Sequence, residues 1–210
     1  MHYEILDHKQ QELLPELARW KDTFYLAGGT GLALHIGHRK SIDFDFFSPE
    51  PIQTDRLFAD LRETFSHHSL LKVQEEKNTL GIIVDETIKV SFMTYGYPIL
   101  EKFSEEPFLN IASLRDIAAM KLSAIVSRAT TKDYADMFFI LKERSLATLL
   151  EDASKKYPEL DTNLILKSLV YFDDIVDEPL VFQEGYEISL DEVKTALTEK
   201  VRQYVANDTA

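Results

Sequence analysis

Asp43 and Asp45 stand one residue apart in the stretch SIDFDFF, between large apolar side chains. In an extended segment residues i and i+2 leave the same face. The two carboxylates therefore project together, while Ile42, Phe44 and Phe46 enter the opposite, apolar face. Carboxylates roughly 5 Å apart repel by about 3 kcal/mol at an effective dielectric near 20, and a cation must offset this. Mg²⁺ suits the task, because it favours one or two carboxylates combined with the phosphate oxygens of a substrate. Earlier in the chain, Gly28-Gly29-Thr30 ends one predicted strand and opens a short helix, where unpaired N–H groups and the positive end of the helix dipole coincide. Glycine lets a phosphate approach the main chain closely, and the Thr30 hydroxyl adds a donor. Taken singly, the glycines are an ordinary turn and the aspartates a solvated edge. Taken together and in this order, they describe a phosphate cradle followed by a metal-binding pair.

The elements that must position these residues fall into two parts, 1–110 and 111–210, with the boundary where mixed helix and strand signals give way to helix. Residues 8–21 predict a helix. TFYLAGG predicts a strand that stops at glycine, GLALHIGH a short helix, SIDFDFF a strand and RLFADLRETF a helix. LLKVQEE, LGIIV and TIKVSFMTY form a predicted meander with turns at Lys77-Asn78 and Asp85-Glu86. This order predicts an α+β fold: a mixed sheet packed on helices, followed by a C-terminal helical bundle, rather than a doubly wound parallel sheet. In the second half Ser113, Thr131 and the pair Ser189/Glu192 are the predicted helix caps.

Composition limits the function. A chain of 210 residues with a net charge of −13 is poorly suited to non-specific phosphate-backbone binding, so a nucleic-acid partner needs a local basic patch. His38-Arg39-Lys40 and the spread of Lys121, Arg128 and Lys132 are the two candidates, each otherwise a solvated charged surface. With no cysteine, disulfide and thiolate chemistry are excluded, and zinc would have to be held by His, Asp or Glu. The charged N-terminus lacks a signal-peptide core and no segment approaches eighteen apolar residues, so a cytoplasmic protein with no membrane partner is expected.

The order G-G-T, short helix, D-x-D resembles the nucleotidyltransferase superfamily that includes polymerase beta. More closely, YLAGGTGLALHIGHRKSIDFDFF is similar to the AbiEii/AbiGii toxin branch found in type IV toxin–antitoxin and phage-resistance systems, and KLSAIVSRATTKDYADMFFIL matches the branch's second motif. The resemblance implies a nucleotidyltransferase that moves NMP from an NTP to an RNA acceptor, tRNA among them, or to a protein, with a cognate antitoxin as a further partner. It implies that Gly28, Gly29 and Thr30 hold phosphates and that Asp43 and Asp45 bind Mg²⁺. Lys121 would neutralise phosphate charge, and Asp133 or Asp136 would orient it or the acceptor. Arg39, Ser41, Arg128 and Lys132 complete the implied nucleotide-binding set. Arg128 and Lys132 are four apart if their helix is unbroken, and Asp133 and Asp136 share a face.

One departure qualifies this. Related enzymes often carry a third carboxylate on a later strand, and here Ser91 takes that position, with Asp85 and Glu86 out of reach at the preceding turn. Two rivals follow: a degenerate module of the same fold that binds nucleotide and regulates a partner, and a phosphohydrolase that uses water as acceptor. His35 and His38 lack a third ligand for zinc, His67-His68 reads as a helix end favourable to a charged imidazole, and Trp20 reads as core.

Overall fold

The structure, a computed structural model, describes residues 1–208. It divides into two compact units, one of residues 1–97 with 102–113, the other of residues 98–101 with those from Leu114 onward.

The first unit is built on a seven-stranded mixed sheet. In chain order its strands are β1 (Tyr25–Ala27), β2 (Phe44–Ser48), β3 (Leu70–Glu76), β4 (Thr79–Val84), β5 (Ile88–Thr94), β6 (Ser104–Glu105) and β7 (Asn110–Ile111). The spatial order is β3-β4-β5-β2-β1-β7-β6. The meander β3-β4-β5 is antiparallel, with left-handed residues Asn78, Asp85 and Glu86 making its two turns. β2 runs antiparallel to β1 and parallel to β5. The unit's helices are α1 (His8–Leu17), α2 (Gly28–Ile36) and α3 (Thr54–Thr64). Phe44, Phe46, Leu80, Ile82, Val90 and Phe92 supply the sheet's buried apolar face, and Leu13, Leu17, Trp20 and Leu61 pack in the same core.

Several boundaries differ from the sequence expectation, each for a local reason. The helix expected over 8–21 ends at Leu17 and tightens into a single 3₁₀ turn, Ala18–Trp20, that buries Trp20. The strand expected to stop at glycine does so, ending at Ala27 where Gly28 turns to φ +64° and α2 starts, but it begins only at Tyr25. SIDFDFF becomes a strand only at Phe44. The carbonyls of Ser41, Ile42 and Asp43 are taken by side chains of α1 and α2, and Ile42, expected to enter the core, is 57% exposed. β6 and β7 are two residues each, too short for any periodicity to announce.

The second unit comprises α4 (Leu114–Ser127), α5 (Thr131–Glu143), α6 (Leu146–Lys156), α7 (Thr162–Leu169) and α8 (Leu190–Asp208). The cap of α5 is Thr130 rather than Thr131, since the Thr130 hydroxyl accepts from the Asp133 N–H. Ser189 and Glu192 make the expected reciprocal box at the start of α8. Residues 170–189 are neither helix nor strand beyond isolated bridges, among them that of Val176 with Thr130, so the second half is less uniformly helical than its pattern implied. Residues 98–101 join this unit through a fully buried ion pair. Lys156 Nζ lies 2.7 Å from both Asp116 Oδ1 and the Pro98 carbonyl, and Asp116 accepts from the N–H groups of Leu100 and Glu101.

Candidate active site

β1 and β2 lie side by side with Ala27 opposite Asp45, so the residue that follows β1, Gly28, comes up against the Asp45 side chain. A methyl group placed on Gly28 would sit 2.7 Å from Asp45 Oδ2, and one on Gly29 would sit 2.6 Å from Arg39 Nη2. A carboxylate and a guanidinium thus cover two successive glycines at the N-terminus of α2, and only residues without Cβ leave them room. Gly28 is bound to glycine twice over, because its φ of +64° is also costly for any other residue. Asp43 directly precedes β2 and is exposed, Asp45 is half-buried, and the alternating Phe44 and Phe46 are buried on the other side. The Asp45 side chain therefore leaves the sheet on the side away from Phe44 and Phe46, with Asp43 at the entry to the strand.

The remaining residues of this stretch are arranged beneath the turn. Thr30 is 1% exposed, and its hydroxyl hydrogen-bonds the Asp43 carbonyl and Ser41 Oγ, the latter at 2.8 Å. Its function in the fold is to hold the Asp43 backbone, and its hydroxyl is engaged there. Arg39 is buried, with Nη1 donating to the Lys40 carbonyl at 3.1 Å. Ser91 is buried in parallel register beside Asp45, which puts it on the neighbouring strand at the level of the acidic pair. Asp85 is occupied elsewhere, accepting from the Ser69 N–H and lying 2.6 Å from His68 Nδ1.

The second motif forms its own cluster. Lys121 of α4 reaches Asp133 Oδ1 at 2.8 Å and Asp136 Oδ2 at 2.6 Å, and all three are buried. Thr130 Oγ1 donates to Asp133 Oδ2, which also lies 3.4 Å from Arg128 Nε. Burial, with the charge of Asp133 second, pushes the neighbouring Tyr134 phenol up to about 12. The condition for Arg128 and Lys132 to lie one helical turn apart, an unbroken helix, is not met. Residues 128–130 break the helix, leaving Arg128 in the corner with its side chain 69% exposed and Lys132 on α5 facing Glu178 at 3.6 Å.

Among the described residues no group of three or more His, Asp or Glu is placed to hold a metal ion. His35 bonds the Ala112 carbonyl at 2.8 Å, and burial lowers its pKa, which suits a neutral structural imidazole. The pair Asp43/Asp45 presents hard oxygen donors in the number that Mg²⁺ takes from protein when a phosphate completes its shell, so these residues fit the ion. Sequence reasoning missed Gln10, whose side chain reaches under this site from α1. Its visible signal was the D-x-x-Q spacing of Asp7 and Gln10, a capping box that the structure contains.

The family described as nucleotidyl transferase AbiEii toxin, type IV TA system, matches residues 12–207. An uncharacterised protein of Aquifex aeolicus is 38% identical over 190 residues, covering 88% of this chain and 89% of its own. Among solved structures, a Helicobacter pylori protein described as a candidate nucleotidyltransferase superposes with a TM-score of 0.60 at 19% identity, covering 94% of this chain and 95% of that one. MenT4, a nucleotidyltransferase toxin of Mycobacterium tuberculosis, gives a TM-score of 0.60 at 13% identity over 92% of this chain and 80% of that one. At such identities the two solved structures show the fold: the mixed sheet and its helices are those of a nucleotidyltransferase.

Proposed function

The chain belongs to the AbiEii nucleotidyltransferase toxin family, and from that premise we propose that it is a Mg²⁺-dependent enzyme that transfers NMP from an NTP to an RNA end or a protein side chain. The observation that carries the reading is the convergence of Asp45 on Gly28 at the start of α2. In this reading the N–H groups of Gly28 and Gly29 and the N-terminal end of α2 bind the triphosphate, and Arg39 places fixed positive charge beneath them. Asp43 and Asp45 hold the divalent cation, which when bound supplies charge neutralisation for the phosphates. Ser41 and Thr30 keep the Asp43 segment in place. Lys121, Asp133 and Asp136 act as one unit in which the carboxylates orient the lysine, with Arg128 and Lys132 as the more accessible cations near the same helix start. The acceptor hydroxyl attacks the α-phosphorus in line and gives its proton to solvent, the bond to the bridging oxygen of the β-phosphate breaks, and pyrophosphate leaves. Catalysis of this kind is positioning and charge stabilisation. A cognate antitoxin is the proposed protein partner and the cytoplasm the proposed compartment. No helix among the described residues is long and apolar enough to cross a membrane.

The test is incubation of the purified protein with each labelled NTP, Mg²⁺ and total cellular RNA, reading which macromolecule gains label. Asp43→Asn and Asp45→Asn are expected to abolish labelling while the fold persists, and full activity in either variant would overturn the assignment. Ser91, beside Asp45 where a third carboxylate would stand, favours a second reading as a nucleotide-binding regulatory module. That module would bind NTP saturably and release no pyrophosphate.

A further inference from the structure

We propose that Gln10, on α1 and ahead of the residues the family matches, is a positioning residue for Asp43. The proposal rests on the assignment of Asp43 as a cation ligand. Ser41, Ile42 and Asp43 precede β2 and lack its ladder, and their side chains give the segment little apolar anchorage: Ile42 is 57% exposed, Asp43 is exposed and Ser41 is half-buried. Their three consecutive carbonyls are instead held by side chains from two helices. Gln10 Nε2 donates to Ser41 O at 2.9 Å and to Ile42 O at 3.0 Å, while Thr30 Oγ1 takes Asp43 O. Gln10 is 1% exposed, and its two amide hydrogens serve two carbonyl acceptors. Its Oε1 accepts from the Asp7 N–H at 3.0 Å, so the amide is fixed at both ends and its orientation is determined by its partners. The chain thus uses the first turn of an otherwise ordinary amphipathic helix to fix the backbone that delivers one carboxylate of the pair.

The two jobs of Gln10 can be separated. Gln10→Glu keeps an oxygen to accept from the Asp7 N–H but turns oxygen instead of nitrogen toward two carbonyls. Gln10→Met removes both functions at similar volume. Asp7→Ala removes the other half of the cap, Asp7 Oδ1 with the Gln10 N–H, and leaves the Gln10 amide on the carbonyls. Amide hydrogen exchange over residues 39–46 in ligand-free protein and Mn²⁺ affinity by titration are compared with thermal stability in all three. Both Gln10 variants are expected to exchange about tenfold faster over this segment and to bind Mn²⁺ about tenfold more weakly, the scale on which groups that orient metal ligands act. Asp7→Ala is expected to lose stability and change neither. Exchange and Mn²⁺ affinity in the Gln10 variants no different from those of Asp7→Ala would overturn the proposal. If the wild type binds no Mn²⁺ and Asp43→Asn keeps full transfer, the cation assignment falls and the proposal falls with it. If the wild type binds Mn²⁺ while Gln10→Glu exchanges like wild type, only the Gln10 proposal falls.

Discussion

Asp133 and Asp136 are 1% and 0% exposed and share the ammonium of Lys121, whereas Asp43 is exposed and Asp45 half-buried over a glycine turn. In both places two acidic residues lie close in sequence, and carboxylates that come together face mutual repulsion. The second unit meets it with a cation of its own sequence, in a buried place where an unneutralised pair would be far more costly. In the first unit the pair stands where solvent and ligand can reach it, with a donor set suited to a divalent ion. Burial therefore separates an acid pair neutralised within the chain from one open to solvent more clearly than spacing does, since D-x-D on a strand and D-x-x-D on a helix are both patterns that place two carboxylates on one face.

The contrast makes opposite predictions for charge removal. Asp43→Asn is expected to lower transfer on the order of 10³-fold, the scale of losing an electrostatic group at the reacting centre, while shifting stability by no more than about 0.5 kcal/mol. Lys121→Met is expected to destabilise the second unit by about 3–5 kcal/mol, because it removes the buried ammonium that two buried carboxylates share. Calorimetry beside the labelling assay separates them. A stable Lys121→Met protein that has lost only activity would mean the lysine's role is chemical and the cluster is not a structural lock.

The course of the chain was readable where side-chain period and turn chemistry agree. The meander 70–94, the apolar faces of β2 and β5 and the capping box at Ser189 needed no tertiary information, because each is a local pattern. The place of Ser91 was read from the family resemblance, and the parallel register that sets it beside Asp45 came only with the structure. What sequence did not reveal depended on distant partners. The Asp43 segment stays out of the sheet because Gln10 and Thr30 take its carbonyls, and Arg128 leaves its helix at a corner capped by Thr130. His68 was read as a helix end, yet α3 stops at Thr64 and the imidazole is held by Asp85 and Glu16 from separate elements.

A smaller perturbation probes the open pair through its floor. Gly28→Ala brings a methyl group to 2.7 Å from Asp45 Oδ2 and imposes a left-handed conformation on a residue with Cβ. The conformational part costs about 1–2 kcal/mol. The Asp45 carboxylate must also turn away, so transfer and Mn²⁺ affinity are expected to fall together. Unchanged Mn²⁺ affinity in a folded Gly28→Ala protein would mean that Asp45 does not depend on the glycine for its position.

The smallest expected effect belongs to a third acidic arrangement, in which two carboxylates share an imidazole instead of a lysine or an external cation. His68 Nδ1 lies 2.6 Å from Asp85 Oδ2 and Nε2 lies 3.0 Å from Glu16 Oε1, joining the end of α1, the turn after α3 and the β4–β5 turn. The Asp85 hydrogen bond, aided by that to Glu16 and opposed by partial burial, raises the His68 pKa. The same His68 bond, with the Ser69 N–H, holds Asp85 below the ordinary carboxylate range, and Lys9 adds a weaker favourable charge. A raised histidine contributes stability fully below its unfolded pKa, about 6.5, and loses it as pH rises through the higher folded value. Asp85 contributes above its unfolded pKa, about 3.9, and loses this as pH falls through its lower folded value. The arrangement is therefore most stabilising between those limits. Melting temperatures from pH 6 to 9 are expected to fall further in the wild type than in His68→Gln. Parallel curves would show that the imidazole carries no charge in the fold and that its two carboxylates, unlike those around Lys121, are not bridged by a cation.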